Sequence, residues 1–428
     1  MFIILSVFGE RKILNHQKQI KLIKAGILID GKSSEPRENI HILIQNDKIQ
    51  RISKAKNSSI QNNVEVLDLR DKTVMPGLID AHMHFFGVPS FDIKKKFVDS
   101  EESRILRASN EAEKMLKAGI TSACCQGSSI SPVLKQLIDT GYINGPNIVC
   151  AGEFICSTGG TWDYFDIPMD IVNKSGIFAD GADELRKKVR ERIRQGANVI
   201  KIGLSKGQID DSNHIWGDNP YMTVAAYSAE EVRAVVEEAH LNGLKVSAHC
   251  IGDASVQLAI DNGVDVIHHG YGINEETRNK ILKTKKMIVS TISQIFFHIK
   301  AEKKYHYSLK RKEIYRIHLE AMKKDFKKNI EKGIKYALGS DLVGYPTHPQ
   351  DQFAKEFELA VEWGMKPMQA IISGTKNSAE AIGINNITGS IEPNKMADII
   401  AFKGNPLDDI KDLQNIDFIM KEGQVLYN

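Results

Sequence analysis

Six positions in this 428-residue chain carry side chains suited to holding divalent cations. His82 and His84 stand two apart at the end of the apolar run Gly77–Phe85. On a strand, residues two apart point to the same side, so both imidazoles can grip one ion. Lys201 sits inside Val199-Ile-Lys-Ile-Gly-Leu204. A bare ammonium is costly to bury there and escapes by losing its proton or gaining a partner. His249 closes Lys245–Cys250, His268 and His269 close Val264–His269, and Asp341 follows Gly339 and Ser340. Any one of these is commonly a satisfied polar residue, but together they recur at the same end of successive strands. A buried neutral amine can take up CO2 and become a carbamate, an anionic two-oxygen group able to bridge two cations. The set therefore fits two ions. His82, His84 and Asp341 would surround one, His249 and His269 the other, with the Lys201 carbamate and a water between them. Nitrogen and oxygen donors without thiolates suit Zn2+, and Mn2+, Co2+ or Fe2+ are also compatible. Such a pair lowers the pKa of a shared water and polarises a carbonyl.

The elements that must position these groups have a clear rhythm. Eight short apolar runs, each followed by a helical pattern, are readable: 77–85, 119–125, 147–155, 199–204, 245–250, 264–269, 287–292 and 335–340. Helices are predicted over 103–118, 182–195, 228–242 and 253–262. In the third of these, Ser228 and Glu231 form a capping box before the apolar face Val232, Val235, Val236 and Ala239. Eight βα units predict an α/β fold, a (β/α)8 TIM barrel, whose chemistry gathers at the C-terminal ends of its strands. No GxGxxG or GxxxxGK[ST] loop follows any strand, which argues against a doubly wound nucleotide-binding sheet. Both chain ends are different in character. Lys21–Asp30, Ile40–Ser53, Val64–Leu69, Met396–Phe402 and Asp417–Tyr427 read as strands that together make one small β-sandwich. The predicted division is 1–76 and 385–428 for the sandwich and 77–384 for the barrel. The Lys-rich stretch 300–328 reads as a solvated helical insertion before strand eight.

Composition narrows the function classes. Lys and Arg total 57 against 54 Asp and Glu, too balanced for a dedicated nucleic-acid binder. Cys124, Cys125, Cys150, Cys156 and Cys250 form no CxxC pair, so a reducing, cytoplasmic setting is expected. The apolar start Met1–Phe8 is too short to span a bilayer and makes a poor signal peptide; no membrane association is expected.

At the six polar positions the sequence resembles the amidohydrolase superfamily of metal-dependent hydrolases. Val74-Met-Pro-Gly-Leu-Ile-Asp-Ala-His-Met-His84 is similar to its first-strand signature, and Lys201, His249, His269 and Asp341 follow in the family order. Gly389-Ser-Ile-Glu-Pro-Asn-Lys-Met-Ala-Asp-Ile-Ile400 resembles the segment returning to the small sandwich. Gly196–Lys201, Glu238–His249 and Val361–Met365 resemble the imidazolonepropionase-related branch that contains Xaa-Pro and Xaa-Arg dipeptidases. Lys201 favours its binuclear members over the mononuclear deaminases. The resemblance implies hydrolysis of a C–N bond in a small molecule, with Asp341 moving a proton from water to the leaving nitrogen. It also makes Tyr227 a candidate substrate contact beside His268. Relatives often assemble into homo-oligomers. Three departures concern the substrate. Gly159-Gly160-Thr161 stands where Gly-Gly-His is common, and His268 stands where a glutamate is common. The loop after Lys201, with Asp210, Asp211, His214, Trp216 and Asp218, is longer than usual. The same centre could serve a lactone or a phosphotriester, and a non-catalytic binding barrel is the alternative of another class.

Overall fold

The computed structural model describes residues 19–55, 64–207 and 217–428. Met1–Phe8 and Asp210, Asp211, His214 and Trp216 lie outside them. The first four strands are β1 (Ile20–Leu28), β2 (Arg37–Gln45), β3 (Lys48–Lys54) and β4 (Glu65–Pro76). The run read as one strand over 40–53 is thus a hairpin, broken where Asn46 takes φ 57°. The next eight strands are β5 (Leu78–Met83), β6 (Ile120–Cys125), β7 (Asn147–Cys150), β8 (Ile200–Gly203), β9 (Val246–Ile251), β10 (Val266–Tyr271), β11 (Met287–Ser290) and β12 (Tyr336–Leu338). The last three are β13 (Ile399–Phe402), β14 (Phe418–Lys421) and β15 (Gln424–Tyr427).

Strands from both chain ends interleave in one seven-stranded sheet, ordered β15-β14-β13-β4-β1-β2-β3. The sheet curls back on itself. Ile49 N donates to Lys395 O at 2.9 Å and Ala397 N to Asp47 O at 2.8 Å, joining the β2–β3 turn to the approach of β13. Ile23, Leu28, Ile42, Ile44, Val74, Ile399 and Phe418 fill the enclosed core.

The eight central strands are those read from the sequence, and neighbours pair in parallel as β5-β6-β7 and β8-β9-β10-β11-β12. Their residues are buried on both faces almost throughout, as strands sheathed by helices must be. Backbone bonds stitch the two groups together at both seams. Ile155 N donates to Lys201 O at 3.1 Å and Gly203 N to Ile155 O at 2.9 Å; on the other side Asp341 N donates to His82 O at 2.6 Å and His84 N to Leu342 O at 3.0 Å. The second seam needs Gly339, because a Cβ there would lie 2.7 Å from His82 N and 2.6 Å from His82 Cβ. Closing the barrel this way brings the ends of its first and last strands together.

The predicted helices form, including Ala229–Leu241 with both arms of its capping box: Glu231 N donates to Ser228 Oγ and Ser228 N to Glu231 Oε2. The Lys-rich stretch departs from its expectation. Most of it belongs to helix Leu309–Glu331, which follows helix Ile292–Ala301 and buries Ile314, Tyr315, His318, Met322, Asp325 and Phe326. Lysines occupy only its outer face. Asp325 fixes the inner face to the turn after β10, accepting from Gly272 N at 2.7 Å and Ile273 N at 3.1 Å and pairing with Arg278.

Glu111, on helix Glu101–Lys117, supports the end of β5 through Gln350, whose Nε2 donates to His84 O at 3.0 Å and lies 3.4 Å from Glu111 Oε2. Burial pushes the Glu111 carboxyl up to about 7 against the opposing hydrogen bond from Gln350. Between its unfolded value near 4.5 and that folded value the native state binds more protons, so stability falls as pH rises through the window. Glu111→Gln is expected to raise stability at pH 8 by on the order of 2 kcal/mol and to leave it nearly unchanged at pH 4. Urea unfolding at the two pH values checks this; an equal effect at both would refute it.

Candidate metal centre

His82, His84, Lys201, His249, His269 and Asp341 all line one cavity of about 560 Å³ over the C-terminal strand ends. Donor atoms of His82, His269 and Asp341 lie within 4.8 Å of one another, a group that could hold a metal ion. His84 joins them: its Nε2 is 3.2 Å from Asp341 Oδ1 and 3.4 Å from His82 Nε2, while His82 Nε2 is 3.4 Å from the same carboxylate oxygen. The His249 ring lies 4.5 Å from that of His269, centroid to centroid. His269 and Asp341 reach the cluster from left-handed backbone, at φ 68° and 54°. This is a strained conformation of the kind that collects at functional sites.

Hydrogen bonds behind the rings aim their free nitrogens. His84 Nδ1 lies 2.8 Å from Gly127 O, and a carbonyl only accepts, so Nδ1 carries a hydrogen and Nε2 is the nitrogen turned toward the cluster. His269 Nδ1 is 2.8 Å from Thr291 Oγ1. His82 Nδ1 is 2.8 Å from His268 Nδ1. Burial, followed by the neighbouring Lys201, holds His82 and His268 well below the ordinary imidazole value, and the same two causes pull His249 to about 3. Neutral imidazoles are what a metal ligand set needs. The main chain is braced by Asp80, which accepts from His82 N at 3.1 Å, Ser340 N at 2.9 Å and Ser340 Oγ at 2.5 Å. These bonds tie the first strand's ligand pair to the last strand's carboxylate.

Lys201 tests whether cations fit here. Its Nζ is buried with no hydrogen-bond partner among the described residues. Burial pulls the ammonium down to about 7, with Asp341 the largest opposing influence. An amine in that state is available to CO2, and the carbamate would add two anionic oxygens to a cavity rich in neutral nitrogen donors. The donor set therefore fits divalent cations.

Two of the candidate residues are not among those lining the cavity. Tyr227 does not line the cavity; it is buried, and its hydroxyl donates to Ala179 O at 3.1 Å, anchoring the start of its helix. His268 does not line it either. It sits behind His82, with its Nδ1 2.8 Å from His82 Nδ1, at hydrogen-bond distance, at a position where a glutamate is common. Asp218 lies outside the cavity as well, 3.4 Å from Lys310 Nζ. What the sequence reading missed is the helical wall. Gln294 and His298 from helix Ile292–Ala301, and Arg311 and Tyr315 from helix Leu309–Glu331 of the Lys-rich stretch, line the cavity together with Trp162 and Phe154. Arg311 stacks 4.0 Å over the Tyr307 ring and lies within hydrogen-bond reach of Tyr315 Oη at 3.2 Å. The buried positions 314, 315, 318, 321, 322, 325, 326 and 329 follow the helical period, and that periodicity was the available signal.

The model of the amidohydrolase family matches residues 73–426, from the strand before the His pair to the last strand. The chain belongs to the amidohydrolase family. Members of this family generally use a metal centre, in keeping with the His82, His269 and Asp341 group. Among relatives, this amidohydrolase is 31% identical to ochratoxinase of Aspergillus niger over 93% of this chain and 84% of that protein. It is 25% identical to an imidazolonepropionase of Fusobacterium nucleatum, over 85% of each. The crystal structure of A. niger ochratoxinase superposes with a TM-score of 0.86 over 96% of each chain. That of a Xaa-Pro dipeptidase with bound methionine in its active site gives 0.83 at 32% identity, over 96% of this chain and 100% of that one. The fold is accordingly a TIM barrel with a second domain, and the protein is a hydrolase acting on C–N bonds. No helix among the described residues is long and apolar enough to cross a membrane.

Proposed function

We propose that this amidohydrolase cleaves the amide bond of a small carboxylate-bearing substrate, an N-acyl amino acid or a dipeptide, at two divalent cations. The observation that carries this reading is the orphaned Lys201 amine, buried in one cavity with four imidazoles and Asp341. His82, His84 and Asp341 would hold one ion, His249 and His269 the other, and carboxylated Lys201 would join them; Zn2+ suits these donors best. Two divalent cations so placed lower the pKa of a water and withdraw charge from the scissile carbonyl. Asp341 takes the proton of the attacking water on Oδ and delivers it to the leaving nitrogen. Thr291, Gly127 and His268 keep the rings in place throughout. Arg311 supplies a cationic group for the substrate carboxylate, and Trp162, Phe154 and Tyr315 take its apolar part and exclude water.

Thr161 supports an N-acyl amino acid over a dipeptide. It occupies the place where a dipeptidase-like sequence has histidine, and its hydroxyl donates to Gly207 O at 2.8 Å. The names of the relatives frame the same two classes, ochratoxinase on one side and Xaa-Pro dipeptidase on the other. The five cysteines are all buried and unpaired, which supports the cytoplasmic assignment.

Metal analysis of freshly purified protein, with turnover of a panel, tests the reading. The expected result is about two ions per chain. N-acyl amino acids should be hydrolysed faster than their carboxamides, dipeptides, lactones or phosphotriesters. A folded protein that binds no metal, or that turns over only the lactone or phosphotriester, would overturn it.

A further inference from the structure

Tyr271 lies two residues beyond His269 at the end of β10 and lines the cavity beside the candidate ligands. Its Oη is 2.8 Å from His318 Nδ1, and His318 Nε2 is 2.6 Å from Gly217 O. The carbonyl can only accept, so Nε2 carries the ring hydrogen. Burial pulls His318 to about 4, so near neutral pH the ring has no second hydrogen. Nδ1 is then a lone pair, and the Tyr271 hydroxyl must donate to it. The phenol's only hydrogen is thus committed away from the substrate, and the oxygen offers the cavity an acceptor and no donor.

This arrangement is held from both sides. His318 belongs to helix Leu309–Glu331, and Asp325 of the same helix grips the backbone of Gly272 and Ile273, directly after Tyr271. The two residues therefore cannot drift apart without breaking a buried carboxylate's bonds. Asp341 lines the same cavity as Tyr271. On the amide-hydrolase reading Asp341 serves the leaving nitrogen, and an acceptor lining the same cavity can meet the hydrogen on that nitrogen.

We propose that Tyr271, oriented by His318, accepts a hydrogen bond from the N–H of the scissile amide and so selects secondary amides over N-alkylated ones. The assignment rests on the amide-hydrolase reading above and deepens it. A bond between any residue and proline is a tertiary amide with no N–H, so this device separates the chain from a Xaa-Pro dipeptidase despite the shared fold. Tyr271 is the specificity-determining residue, and His318 acts through it as a positioning residue.

The test uses the metal-loaded full chain, N-benzoyl-L-phenylalanine as substrate and its N-methyl derivative as competitive inhibitor, compounds chosen for the aromatic wall. In the wild type the Ki of the N-methyl compound is expected to exceed the KM of the parent by about five- to tenfold, the scale of one hydrogen bond. In Tyr271→Phe that ratio should fall to near one. His318→Phe should lower it likewise, whereas His318→Gln, which can again accept from the phenol and donate to Gly217 O, should restore it. Thermal melting of each variant shows that it is folded, and should Tyr271→Phe not fold, the His318 pair decides. An undiminished ratio in Tyr271→Phe, or equal ratios in the two His318 variants, would overturn the assignment and leave the amide reading standing. A wild type that hydrolyses no amide at all would remove both.

Discussion

Asp341→Asn is expected to lower kcat by roughly 10²–10⁴-fold, the usual worth of a positioned acid–base group, while retaining most of the bound metal. The substitution separates two roles that one carboxylate plays. Oδ1 lies 3.2 Å from His84 Nε2 and 3.4 Å from His82 Nε2, where an amide oxygen would still offer a ligand atom. Asn also tolerates the left-handed backbone at this position, φ 54°, so the seam bond from its N–H to His82 O should persist. An amide cannot take up the proton of a water or hand it to a departing nitrogen. Measured together, kcat, metal content and melting temperature distinguish the outcomes. Full activity in Asp341→Asn would sink the proton-transfer role; loss of metal along with activity would make the residue chiefly a ligand.

Lys201→Met should move two properties in opposite directions. Nζ is buried and has no hydrogen-bond partner among the described residues, and an unsatisfied buried polar group costs roughly 1–3 kcal/mol. Methionine fills nearly the same volume without that cost, so the metal-free variant is expected to be more stable than the metal-free wild type by about that amount. With metal supplied the order reverses, since the wild type gains a ligand on binding CO2 and the variant has none. Activity should be lost in Lys201→Met and in Lys201→Ala. The alanine variant, which leaves space, should recover part of it with added formate or acetate. Chemical denaturation of chelated protein reads the first effect, and metal titration the second. A less stable metal-free Lys201→Met would mean that the amine has a partner in solution, and an active one would remove Lys201 from the centre.

The barrel was legible because its strands are buried on both faces and so read as unbroken apolar runs ending in polar residues. The candidate ligands were legible for the same reason, His82, His84, Lys201, His249, His269 and Asp341 being conspicuous interruptions of those runs. The cavity's helical wall was not. Arg311 and Tyr315 lie in a stretch whose lysines dominate any count of charge, and only spacing separates the solvated face of that helix from the packed one. Tyr227 was ambiguous in the converse way, because an aromatic ahead of a capped helix can turn toward a ligand or toward its own scaffold. Here it turns toward Ala179. His268 was visible as a substitution for a carboxylate, but its hydrogen bond with His82 is a 2.8 Å contact across the barrel that no local pattern encodes.

One residue, Gly77, separates β4 of the curled sheet from β5 of the barrel, so residues 65–83 form a nearly continuous ribbon shared by both units. Along one edge its partners are made far later. Thr73 Oγ1 donates to Gly404 O, 331 residues on, and Asp80 waits 260 residues for Ser340. While the polypeptide is being synthesised, that ribbon leaves the ribosome with half its hydrogen-bonding edge unclaimed. It can be completed only when nearly everything downstream has been translated. Any ion held jointly by His82 and Asp341 must likewise wait for residue 341. Such an ion can therefore be captured only once the last barrel strand has emerged, and until the sheet closes the ribbon presents an open strand edge of the kind that pairs wrongly if left exposed.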